Sequence, residues 1–144
     1  MNQDFLDLLR ALSAHKVRFL IVGAYALAVH GRPRATGDLD VWVEATPRNA
    51  ATLIAALTEF GAPLDAVSQQ DFSAPGIVFQ MGLAPYRIDI LTEISGVTFA
   101  DAWSTRLRAP FGPDLEVDYI GREEFIRNKR ATGRTKDLGD IEGL

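Results

Sequence analysis

The sequence predicts one α/β domain, with strands through the middle of the chain and helices at both ends. Short apolar runs at 17–22, 39–43, 77–81 and 86–91 have the length and the residue types of strands. Stretches at 4–14, 47–60 and 122–131 place apolar residues at helical spacing instead. Glycine and proline separate these runs at Gly23, Gly31, Pro33, Gly61, Pro75, Gly76 and Pro85.

The chain has 144 residues, the size of a single domain spanning 1–144. Hydrophobic residues make up 47% and charged residues 24%, enough for a core of useful size. The absence of cysteine excludes a disulfide framework and a Cys-based zinc site. It is compatible with a reducing compartment, and a cytoplasmic location is expected. No apolar run approaches the roughly 20 residues of a membrane span, so no membrane association is expected. The N-terminus lacks the basic and apolar regions of a signal peptide. A net charge of −4 argues against a general nucleic-acid coat protein. The charge is uneven, however: six of the 15 Lys and Arg residues fall between Arg122 and Lys136.

In chain order, Phe5, Leu8, Leu9 and Leu12 give the first helix its apolar face, and His15-Lys16 closes it with basic groups. Residues 17–22 form a strand that Gly23 breaks. Residues 25–30 are Ala-rich and helical, and Pro33 biases Arg32 away from continuing that helix. Residues 39–43 form a second strand. Thr46 caps the next helix with Pro47 at its first position, and Gly61 ends it. Residues 65–76 read as a loop. The strands 77–81 and 86–91 are close enough for a hairpin. Residues 99–103 suggest one helical turn, and 106–109 and 115–120 suggest edge strands. Helices follow at 122–131 and 135–144, with Gly133 between them and Thr135 as a cap.

The candidate chemistry starts at Asp38-Leu39-Asp40. A strand has a side-chain period of two, so Asp38, Asp40 and Trp42 share one face and Leu39, Val41 and Val43 the other. The two Asp Cα atoms lie roughly 7 Å apart, a spacing that suits hard cations bridging phosphate oxygens. Asp89 lies between Ile88 and Ile90. Either it pairs with its neighbour Arg87, or it completes a three-carboxylate cluster if its strand lies beside 39–43. Gly23 opens a strand-to-helix corner of the kind that admits phosphate. No P-loop and no GxGxxG motif is present.

Lys129 falls four residues after Phe125 and three after Ile126, on or beside the inward face of its helix. Asp137 flanks the Leu138/Ile141 stripe of the last helix. Both helices also read as ordinary amphipathic helices with snorkelling basic groups. His15 and His30 are expected in surface or capping roles. Trp42 is expected to pack in the core, with stacking on a base as the alternative.

Gly23-Ala24, Arg34-Ala35-Thr36, Asp38-Leu39-Asp40 and Asp89, in that order, resemble the nucleotidyltransferase superfold of the DNA polymerase β type. The closing KRATGRTKDLGD resembles the lysine motif and the RxKDxxD motif of the AbiEii-like group, which includes toxin–antitoxin and phage-defence proteins. The resemblance covers roughly 17–92 and 121–142. It implies an α/β (α+β) nucleotidyltransferase fold, a central mixed β-sheet flanked by helices with a helical C-terminus. It also implies transfer of a nucleoside monophosphate from an NTP to a hydroxyl of RNA (tRNA in particular), protein or a small molecule.

On the same basis Asp38, Asp40 and Asp89 would hold Mg2+ or Mn2+. Gly23, Ala24, Arg34, Thr36 and Lys129 would contact the triphosphate, and Asp137 would sit at the active-site edge in a supporting or catalytic role, beside Asp38, Asp40 and Asp89 as catalytic residues. Ala24 stands where many members have Ser or Gly, so only backbone N–H groups remain there. The alternative is a nucleotidyltransferase-like protein that is weakly active or inactive and acts with a partner, such as one half of a toxin–antitoxin pair.

Overall fold

The computed structural model describes residues 2–32, 37–83, 85–142 and 144. Helix α1 (Gln3–Ala14) is capped by Asn2, whose side chain accepts from the Phe5 N–H. Strand β1 (Phe19–Val22) leads directly into α2 (Gly23–Val29), so that helix begins at Gly23 itself rather than at Tyr25. Strand β2 (Leu39–Val43) is followed by α3 (Pro47–Phe60). Thr46 caps α3 and Gly61, at φ 90°, ends it in the left-handed conformation, as expected.

The 65–76 segment contains a short 3-10 turn at Asp71–Ser73, which buries Phe72. Strands β3 (Val78–Met81) and β4 (Ile88–Leu91) form the expected antiparallel hairpin. Then come α4 (Phe99–Ser104), β5 (Leu107–Pro110), β6 (Glu116–Tyr119), α5 (Arg122–Thr132) and α6 (Thr135–Ile141).

The six strands form one mixed sheet in the order β3-β4-β2-β1-β6-β5. β2 is antiparallel to β1 and parallel to β4; β1 is parallel to β6. β5 is an edge strand as expected, but β6 is interior, covered by β5 on one side and β1 on the other. Leu39, Val41 and Val43 are fully buried, as period two requires. On the opposite face Trp42 is 2% exposed and meets Phe99 of α4 edge-on, with ring centroids 5.1 Å apart. Its role is therefore core packing.

The C-terminal helices turn differently from their apolar pattern. In α5 the buried residues are Glu124 and Phe125, while Ile126 is half-buried. Glu124 accepts a short hydrogen bond from the Thr105 hydroxyl. In α6 Asp137 and Asp140 face inward and Ile141 packs against the core, while Leu138 is exposed, so the inward face is set by the two acids and Ile141 rather than by a Leu138/Ile141 stripe. Among the described residues, no helix is long and apolar enough to cross a membrane.

Candidate active site

The carboxylates come together through strand register. β2 and β4 are adjacent and parallel, with Asp40 directly beside Asp89. Side chains at paired positions point to the same face, so the two acids stand one strand spacing apart, about 4.8 Å. Asp38 joins them on that face by the period of two. Two residues extend the same transverse row: Val22 lies beside Asp40 and Gln80 beside Asp89.

Gly23 has a specific reason to be glycine. It sits at φ 70°, and a Cβ there would collide with the Asp40 carboxylate. Any side chain at position 23 would displace the acid that the sequence places at the centre of the site.

Asp40 is pushed up to about 7, first by burial, then by the charge of Asp89 and the hydrogen bond it shares with it, then by the charge of Asp38. Lys129 on α5 pulls in the other direction. Two carboxyls that hydrogen-bond each other share a proton, and a cation in its place would relieve the repulsion.

Arg87 partly fills that role. Its guanidinium donates from Nε to Asp89 at 2.9 Å, and from its terminal nitrogen to Asp89 at 3.2 Å and to Asp38 at 3.3 Å. The sequence offered Arg87 pairing and a carboxylate cluster as alternatives for Asp89; both arrangements occur together. Among the described residues, no group of three His, Asp or Glu side chains is arranged to hold a metal ion. The donor set suits a hard cation, being all carboxylate oxygen. With Arg87 bound to two of its members, that set is engaged elsewhere.

Across from the sheet, Lys129 is held by Asp137 at 3.2 Å, with both side chains nearly buried (12% and 1% exposed). Asp137 also accepts from Arg134 at 2.5 Å and from the Thr132 hydroxyl at 2.6 Å. Burial alone would raise the Asp137 carboxyl. Hydrogen bonds from Arg134 and Thr132, together with the charge and hydrogen bond of Lys129, outweigh it and hold the group well below the usual range. Asp137 is thus an anchor for Lys129, joining α5 to α6, and Lys129 is the group whose charge reaches Asp40.

α5 is fixed to the sheet side by Asn128, which donates to the Ser95 carbonyl at 2.9 Å. A Cβ on Gly96 would strike the side chain of Ala131, so that loop also lies close against α5. Ala24 is buried behind Gly23. Arg34 and Thr36 lie outside the described residues. His15 bonds Glu59 at 2.6 Å and His30 bonds the Ile120 carbonyl at 2.8 Å, both remote from the acids in role. Sequence reasoning missed Gln80, Thr132 and the contact that makes Gly23 obligatory. Of these only Thr132 carried a local signal, five residues before Asp137.

No protein-family model and no curated protein matches the sequence. Among solved structures, the chain is similar to a Thermotoga maritima protein described as a "putative nucleotidyltransferase". The TM-score is 0.61 at 14% identity, over 99% of this chain and 93% of that one. The likeness extends over the whole sheet and its helices, and the chain has a nucleotidyltransferase-like fold.

Proposed function

We propose that this protein is a metal-dependent nucleotidyltransferase, moving a nucleoside monophosphate from an NTP to a hydroxyl acceptor on RNA, tRNA in particular, on a protein or on a small molecule. The observation that carries this reading is the side-by-side placement of Asp40 and Asp89, with Asp38 on the same face and Lys129 opposite. The fold likeness adds support.

In this reading Asp38, Asp40 and Asp89 would hold Mg2+ or Mn2+, which would supply charge neutralisation. The acceptor oxygen forms a bond to the α-phosphorus, the bond from that phosphorus to the pyrophosphate oxygen breaks, and Asp89 receives the acceptor's proton. Lys129, steadied by Asp137, offsets charge on the departing pyrophosphate. Gly23 and Ala24 offer backbone N–H groups to the triphosphate, and Arg34 and Thr36 belong to the same role. A cytoplasmic setting and an AbiEii-like, toxin–antitoxin or phage-defence context are part of the proposal.

The second reading is a weakly active or inactive, NTP-binding regulator that acts with a partner. Arg87 among the carboxylates favours it.

One experiment separates them. The protein is incubated with each α-labelled NTP, Mg2+ or Mn2+, and total cell RNA or protein. Label transfer by the wild type, reduced at least about 100-fold in Asp40→Asn, is the expected result. Equal transfer by Asp40→Asn would sink the assignment. Saturable NTP binding without transfer supports the regulator.

A further inference from the structure

The end of the sheet away from the aspartates carries a second concentration of charge. Lys16, Arg18 and Arg48 line one cavity of about 340 Å3, together with Glu44, Asn49 and Thr52. Phe19 pairs with Val43 and Val22 with Asp40, so this cavity lies at the start of β1 and the end of β2, opposite the acids.

Its cations are only partly neutralised from within. Glu44 stands 3.7 Å from Arg18. Among the described residues, Lys16 and Arg48 have no ion-pair partner. Both also occupy unfavourable backbone positions. Lys16 sits at φ 57°, the one non-glycine residue with positive φ among those described, just after the cap of α1 where glycine is usual. Arg48 lies in the first turn of α3, where the positive end of the helix dipole disfavours a cation, and no acid stands in that turn. Both residues are exposed, and among the described residues no acid pairs with either. An anion in the cavity would offset the charge of both.

The floor beneath these cations is rigid. Asn49 is 5% exposed and uses its whole amide: it accepts from the Arg18 N–H at 2.8 Å and donates to the carbonyls of Arg18 at 3.0 Å and Glu44 at 2.9 Å. Beyond the cavity two guanidiniums flank an aromatic ring, one of them, Arg106, also pairing with Asp118 at 3.6 Å. Arg18 and Arg106 lie 5.3 Å and 4.0 Å from the centre of the half-buried Trp103 ring.

We infer that this cavity is a phosphate-binding site, remote from the aspartates and suited to the backbone of an RNA strand that continues toward Trp103. Free inorganic phosphate shares the same chemistry. The inference does not rest on nucleotidyl transfer.

The test is an anisotropy titration of labelled single-stranded RNAs of increasing length across a salt series, with wild type, Lys16→Gly, Arg48→Gln and the double variant. Lys16→Gly also relieves the backbone strain, so loss of binding there is not loss of folding. In the double variant, binding is expected to weaken about tenfold or more at low salt. The slope of log affinity against log salt becomes shallower by about 1.4, from roughly 0.7 per lost contact. A parallel calorimetric titration uses inorganic phosphate. Affinity that rises with RNA length assigns the site to a strand. Phosphate binding lost in the double variant, with no length dependence, assigns it to the free anion. Unchanged affinity and slope in the double variant overturn the site, as does a wild type that binds neither probe. Transfer activity is not the readout, so failure of the nucleotidyl-transfer reading leaves this result interpretable.

Discussion

Asp40 and Asp137 both lie within the influence of Lys129, yet their carboxyls shift in opposite directions. Burial raises both. Asp137 then receives hydrogen bonds from Arg134, Thr132 and Lys129, and these overwhelm burial. Asp40 meets mostly other carboxylates, and these add to burial. Neighbours, not depth, decide the outcome. Asp137 is an anion satisfied by three donors, whereas Asp40 stands against carboxylates that share the Arg87 guanidinium. In the proposed function a divalent cation would relieve the repulsion among them.

The largest expected effect breaks the satisfied side. Asp137→Ala would leave Lys129 nearly buried without its partner and free the Thr132 and Arg134 donors. Removing one member of such a pair costs about 3 kcal/mol, and urea denaturation at neutral pH is the check. A loss below about 1 kcal/mol would mean that α6 is held by contacts other than this carboxylate. Because the folded-state carboxyl lies below its unfolded value, this contribution is present above the ordinary Asp range and fades as pH falls beneath it.

The two sides also differ in how far the sequence reveals them. The common face of Asp38 and Asp40 followed from the period of two, and the caps at Thr46, Gly61 and Gly133 followed from residue type. The adjacency of β2 and β4 is a long-range pairing with no local signal, so the sequence could state it only as a condition. The orientation of α6 was misread for an energetic reason. Leu138 and Ile141 suggested an apolar seam, but three donors from α5 and the connecting turn hold Asp137 inward more strongly than one leucine draws the helix round. Gly23 looked like a phosphate turn, and no local signal showed that it also faces the Asp40 carboxylate, a partner 17 positions away.

A smaller effect tests the unsatisfied side. Asp40 has a folded pKa of about 7, above its unfolded value of 3.8. The folded state therefore keeps a proton that the unfolded chain gives up, and stability falls as pH rises between those values. Asp40→Asn removes this penalty. It should stabilise the protein by about 1–2 kcal/mol at pH 8 and by nearly nothing at pH 4, a figure reduced from the full linkage because water partly reaches the group. Urea midpoints of wild type and variant at the two pH values decide it. An equal difference at both would remove the carboxylate repulsion from the account. A variant that loses transfer while gaining stability at pH 8 would mark Asp40 as a functional group kept at a structural cost.

The smallest effect concerns the cation already present. Arg87 bonds Asp38 and Asp89, but its side chain and that of Asp38 are both well exposed, so the contact to Asp38 contributes little stability. The two bonds to the nearly buried Asp89 hold the guanidinium more firmly, and a divalent ion, which concentrates more charge on the same oxygens, has to displace them. Arg87→Met keeps the apolar stem and removes the competitor. Mn2+ affinity should then rise about 3- to 10-fold, roughly 0.7–1.4 kcal/mol, read from the free-ion signal in an electron paramagnetic resonance titration. Weaker Mn2+ binding would reverse the assignment. Arg87 would then be the group that aims Asp38 and Asp89, and the carboxylates would need it in place before any metal could bind.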